Sequence, residues 1–129
     1  MPQLKKYQDI NVFDAAQARI KFAFDNCEKI YVSFSGGKDS SVMLHLVMME
    51  AVKRNVIVGV LIIDLEAQYS RTISHLEEMV ELYKDRIDLH WICTPLLLRN
   101  AVTSYEPRWK CWDESKRDIW VREKPKHAS

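Results

Sequence analysis

Lys29-Ile30-Tyr31-Val32-Ser33-Phe34-Ser35-Gly36-Gly37-Lys38-Asp39-Ser40-Ser41-Val42-Met43-Leu44-His45-Leu46 passes from an apolar run, through two adjacent glycines and a polar cluster, into a helical pattern. No residue is spare between them. The run Lys29 to Phe34 predicts a strand, and the segment after the glycines predicts a helix reaching about Arg54, apolar on most of its circumference and therefore well buried. Two glycines let the backbone take φ > 0 and approach an anion closely, so that successive N–H groups converge on it. The unpaired N–H groups and positive dipole end of the following helix add to the same place. Ser35, Ser40 and Ser41 bring hydroxyls and Lys38 a cation. The stretch therefore predicts an oxyanion cradle, for phosphate, pyrophosphate or sulfate.

Outward from the cradle the order is legible on both sides. Upstream, Asn11 followed by Asp14 predicts a capped helix start, and Phe13, Ala16, Ile20, Ala23 and Phe24 recur on one face to about Asn26. Downstream, the run from Val56 to Ile63 is continuously apolar and rich in β-branched residues, as expected of a strand covered on both faces. Strand, helix and strand in that order predict a parallel pair joined by a right-handed crossover. Asp64 stands where this strand should end, and ligands of open α/β sheets lie beyond the carboxyl ends of the strands, so the Asp64 loop is expected to flank the same crevice as the glycines. Ser70 or Ser74 would cap the next helix, Ser74 with Glu77 matching a capping box, with Ile73, Leu76, Val80 and Tyr83 inside and an end near Lys84. A third strand spans about Asp88 to Cys93 and stops at Pro95. Leu96 to Leu98 with Ala101, Val102 and Tyr105 suggest a short helix. The expected division is an N-terminal extension over 1–10, one α/β domain over 11–122 and a frayed polar tail over 123–129.

The chain has 129 residues, 47% of them hydrophobic and 29% charged, which is enough for one core. Nineteen basic against eighteen acidic residues leave a formal charge of +1, so bulk electrostatics indicate neither nucleic acid nor a membrane surface. No apolar run is long enough to span a bilayer and the N-terminus does not read as a signal peptide, which makes the cytoplasm the expected location. Cys27, Cys93 and Cys111 are odd in number and widely spaced, arguing for reduced thiols rather than a disulfide framework or zinc knuckle.

The turn S-G-G-K-D-S satisfies neither the Walker A pattern nor the dinucleotide fingerprint. It matches the loop S-G-G-x-D-S of the N-type ATP pyrophosphatase (PP-loop) superfamily. With the runs Val32 to Leu46, Ile63 to His75 and Pro107 to Trp112, the chain resembles the phosphoadenosine phosphosulfate (PAPS) reductase family within that superfamily, and there the IbrA-like branch. The resemblance covers about Asn11 to Arg122. It implies a three-layer parallel sheet with helices on both faces, similar to the adenine nucleotide alpha hydrolases, shortened here because relatives continue through further strands.

On this resemblance Ser35, Gly36, Gly37, Lys38, Asp39 and Ser40 would hold the phosphate or sulfate end of an adenine nucleotide, ATP or PAPS, with Asp64 and its loop bordering the adenosine. Where ATP is used, an acceptor attacks the α phosphorus and pyrophosphate leaves into the loop. Lys38, with Mg²⁺, would absorb charge, and Asp39 would orient the loop or the metal. Reductases of the family instead use a cysteine, in an E-C-G-x-H segment, to attack the sulfur of an adenylyl sulfate. That segment has no counterpart in these residues. Transferase-type chemistry on a nucleotide and a non-catalytic, nucleotide-binding regulatory protein both fit. The shortened sheet would leave the cradle strand with an open edge, suited to a second copy or a partner protein.

Other polar residues have plainer readings. His45 reads as a core histidine and His75 and His90 as surface or packing residues, none with a partner at metal-ligand spacing, so no metal site is expected. Cys27 and Cys93 read as small core hydrophobes. Cys111, beside Lys110 and near Arg108, is the thiol whose neighbours would favour a thiolate. Trp109, Trp112 and Trp120, with Arg108 and Lys110, read as packing residues before a base-stacking platform.

Overall fold

A computed structural model describes residues 5–129. The expected extension over 1–10 lies partly outside the described residues, at 1–4. Three strands, β1 (Tyr31–Ser33), β2 (Val58–Ile63) and β3 (Ile87–Ile92), form a parallel sheet in the order β1-β2-β3. Helices α1 (Val12–Asn26), α2 (Lys38–Arg54) and α3 (Ser70–Tyr83) precede β1 and link the strands. This is the expected mixed α/β architecture, incomplete in the described residues.

Sheet layering follows from alternation along each strand. Val32, Val58, Val60, Ile62 and Trp91 are sealed on one face. On the other, Tyr31 lies in register with Gly59, and its ring covers that glycine so closely that an added Cβ would meet ring carbons at 2.1 and 2.2 Å. Tyr31 and Ile63 on this second face are nonetheless 57% and 51% exposed. Its covering is partial, and β1 has no strand on its outer side among the described residues.

Asn11 does cap α1, its side-chain oxygen accepting from the Asp14 N–H at 2.8 Å. The helix leans on α2 through Ile20 and Phe24, with Arg54 pairing with Asp25 at 2.7 Å and stacking over Phe24, while Phe13 stays half exposed. Helix α2 ends on Asn55 in the left-handed region (φ 54°), which Asn tolerates. It buries Leu44, Val47, Met48 and Ala51, whereas Val42, Met43, Met49 and Val52 face outward. The expectation of a helix buried nearly all round is thus corrected: neighbours reach one stripe only.

Helix α3 begins at Ser70 after Tyr69, without a side-chain cap, and Ser74 sits one turn inside it, its hydroxyl donating to the Ser70 carbonyl at 3.1 Å. Neither serine forms the expected cap. Leu76, Met79 and Val80 are buried, with Ile73 and Tyr83 partly so.

The largest departure follows Pro95. Leu96–Arg99 is a strand, β4, paired antiparallel with β5 (Arg108–Cys111), not a helix. Three consecutive leucines define no helical face, and here Leu98 meets Trp109 while Leu96 meets Cys111 across the ladder. A 3-10 turn, Glu114–Ile119, follows. The tail is not frayed either: Ala128 bridges Trp91, and the Ser129 N–H donates to the Trp91 carbonyl at 2.9 Å, lining the outer edge of β3.

Candidate functional site

The β1 ladder extends one step past Ser33, the Phe34 N–H donating to Leu61 at 2.8 Å, and the chain then turns at Gly36 with φ +78°. A side chain there would be strained by its backbone. Its Cβ would also lie 3.0 Å from Leu76 and 3.1 Å from Thr72, so α3 backs directly onto the turn. At Gly37 an added Cβ would meet only the Ser35 hydroxyl, at 3.5 Å. Gly37 is also the N-cap of α2 and offers no side chain to the first turn. The N–H groups of that turn thus lack a side-chain cap and point out of the helix end, the arrangement that receives anions.

Hydroxyls tie the loop to the helix. Ser35 Oγ lies 2.9 Å from Ser40 Oγ and accepts from the Gly37 N–H at 3.3 Å. Ser40 and Ser41 donate to the Gly37 carbonyl at 3.1 and 2.8 Å. Lys38 Nζ and Asp39 Oδ1 pair at 2.6 Å, almost wholly in solvent. Such a pair holds neither group firmly, leaving both free to turn toward a ligand. Ser35, Gly36, Gly37, Lys38, Asp39 and Ser40 therefore form one cluster, as their contiguity requires.

Asp64 stands apart from it. Its carboxylate is sealed from solvent and accepts from the Glu66 N–H and Trp91 Nε1, each at 2.9 Å, and from Arg122. None of these donors comes from the glycine loop. Glu66, buried with φ 69°, accepts from the Trp112 N–H at 2.6 Å and the Val121 N–H at 3.3 Å, while Trp112 Nε1 donates to the Asp64 carbonyl at 2.6 Å. These two acids staple the segment 112–122 to the end of β2. Asp64 holds the loop's shape from within, and a ligand beside that loop would meet its backbone and outer side chains.

The thiols sort differently from expectation. Cys27 is exposed, just past α1, rather than in the core. Cys93 is buried as expected, and burial, then the neighbouring Asp64 charge, pushes its thiol up to about 12. Cys111 is fully buried, its Sγ 3.6 Å from the Thr94 carbonyl, and burial raises its pKa as well. Lys110 and Arg108 are therefore no activators: the β5 alternation turns Cys111 inward. Trp112 packs edge-on against Trp120 at 5.2 Å, a packing role as expected.

Two histidines are also better placed than sequence alone suggested. His45 is exposed and meets the Tyr83 hydroxyl at 2.5 Å, instead of lying in the core. His75 Nε2 lies 2.8 Å from Ser41 Oγ, in the first turn of α2, with its ring edge-on to Phe34. Nothing in local sequence marks this: the two are 34 positions apart. Among the described residues, no three His, Cys, Asp or Glu side chains converge as metal ligands.

A parallel strand feeding a left-handed glycine and an uncapped helix start defines an α/β domain with a glycine turn at the carboxyl end of its first strand. The chain belongs to the phosphoadenosine phosphosulfate reductase domain family, which matches residues 29–125. It is 40% identical over 121 residues to the uncharacterized protein YbdN of Escherichia coli (strain K12), an alignment spanning 92% of this chain and 29% of YbdN. The chain thus spans less than a third of that relative's length. No solved structure matches it.

Proposed function

We propose that the turn Ser35 to Ser41 holds the phosphate or sulfate end of an adenine nucleotide, ATP or PAPS, and that the chain serves PAPS-reductase-like or transferase chemistry on it. The observation that carries this reading is the uncapped start of α2 behind Gly36, in a chain whose family is named for a nucleotide sulfate. Backbone N–H groups would receive the oxyanion, and Ser35 and Ser40 would add hydroxyl donors by turning from their contacts within the loop, Ser41 keeping the Gly37 carbonyl. Lys38, released from Asp39, would neutralise charge, and Asp39 would orient Lys38 or an accompanying cation. Asp64 would act at one remove, by fixing the loop that borders the adenosine. Among the described residues no three acidic, histidine or cysteine side chains form a cage for Mg²⁺, so such an ion would enter with a triphosphate, with Asp39 as the nearby carboxylate. A cytoplasmic setting suits both substrates.

The partly covered second sheet face and, among the described residues, the open outer edge of β1 favour a further reading, in which nucleotide binding here serves a partner chain or second copy that completes the sheet. Titration calorimetry of the folded chain with ATP and with PAPS, each with and without Mg²⁺, tests the first reading. Saturable binding lost in Lys38→Ala is expected. No heat from either nucleotide would overturn it. Release of pyrophosphate, AMP or sulfite by the isolated chain would count against the partner-dependent reading.

A further inference from the structure

We infer that His75 is a positioning residue of the cradle, acting through Ser41 on the peptide between Gly37 and Lys38; the inference rests on reading that cradle as an oxyanion site. Ser41 Oγ lies 2.8 Å from the Gly37 carbonyl oxygen and 2.8 Å from His75 Nε2. A carbonyl only accepts, and a serine hydroxyl has one proton to give. That proton goes to Gly37. Ser41 Oγ must then accept from His75, so Nε2 carries a hydrogen, a condition that both the neutral Nε2–H tautomer and the imidazolium satisfy.

The Gly37 carbonyl receives three donors in all: the Ser41 N–H at 3.0 Å, Ser40 Oγ at 3.1 Å and Ser41 Oγ at 2.8 Å. The peptide unit is planar and trans, so the direction of this C=O sets the opposite direction of the Lys38 N–H. Lys38 is the first residue of α2, and its N–H is the first donor presented to the cradle. Pinning one end of the unit therefore aims the other.

His75 is itself held. Its ring packs edge-on to Phe34, with centroids 6.1 Å apart, and Thr72 and Leu76 on the same helix close against Gly36. Helix α3 thus sets the turn from behind at two points: contact at Gly36 and a hydrogen bond at Ser41. Loss of the second should loosen Lys38 without unfolding the domain.

Calorimetry of the full chain with inorganic pyrophosphate tests this, using His75→Phe, His75→Gln, Ser41→Ala and the His75→Phe/Ser41→Ala pair, with thermal unfolding of each. His75→Phe keeps a ring and removes the donor; His75→Gln restores an N–H at comparable reach. The expected result is affinity about five- to tenfold weaker in His75→Phe and Ser41→Ala, the size of one organising hydrogen bond. The pair should be no weaker than either alone, and His75→Gln should stay near wild type. In the unliganded chain the Lys38 amide resonance should shift in His75→Phe and return in His75→Gln. Additive losses, an unaffected His75→Phe, or a Gln variant as weak as Phe would overturn the role. Wild-type protein that binds neither pyrophosphate nor nucleotide would instead overturn the cradle reading, while the Lys38 resonance would still decide the aiming of the loop.

Discussion

Arg122 donates to the buried carboxylate of Asp64 across 58 positions of sequence, joining the segment 112–122 to the end of the central strand. The guanidinium also stacks over Trp112, which in turn donates to the Asp64 carbonyl. A charge held this way depends on its partner, because the alternative is an ion stranded away from water.

Asp64→Asn is accordingly expected to destabilise the chain by about 3–5 kcal/mol, a large part of a domain's total stability. Arg122→Met in the same background should recover part of that loss, since the stranded cation goes with it. Urea unfolding of the two single variants and the pair measures this; purely additive effects would show that the two groups are not coupled.

The two glycines of the cradle should respond unequally to alanine. Gly36→Ala meets a positive φ costing about 1–2 kcal/mol, with Leu76 and Thr72 in the way of its methyl group. Gly37→Ala has φ −74° and only an ordinary contact with the Ser35 hydroxyl, so its effect on stability should be under about 1 kcal/mol. Unfolding midpoints compare them directly, and equal losses would count against the turn geometry.

Thiol chemistry separates Cys27 from the others. At pH 8 a chromogenic thiol reagent should label one cysteine promptly in the native chain, and Cys93 and Cys111 only on unfolding. Peptide mapping of the labelled protein identifies the site; rapid native labelling of Cys111 would contradict its burial.

Cys93 also links stability to alkaline pH. Its folded pKa is raised, from 9.0 to about 12, so its contribution is fully present below pH 9. Above that the unfolded chain sheds the proton and the folded chain keeps it, so stability falls as pH rises from 9 toward 12. Denaturant unfolding of wild type and Cys93→Ala across this range should show the steeper decline in wild type.

Removing residues 125–129 takes away the Ser129 donor to the Trp91 carbonyl and the bridge at Ala128. A loss of about 1 kcal/mol is expected from the hydrogen bond, with red-shifted tryptophan emission as the edge of β3 is uncovered. An unchanged midpoint would show that the tail contributes nothing to the sheet.

The strand, glycine turn and helix from Tyr31 to Arg54 and the two further parallel strands were legible in the residues alone, and with them the contiguous cluster Ser35 to Ser40. Those features depend on residues next to one another, whose periodicity and backbone freedom are local properties. The rest depended on the folded chain. Leu96 to Leu98 became a strand because Arg108–Cys111 was there to pair with it; Asp64 turned inward because Trp91 and Arg122 supplied donors. His75 reached the cradle only because α3 folds back onto the turn. Each of these depends on groups between 11 and 58 positions apart, whose burial and hydrogen bonding no local pattern encodes.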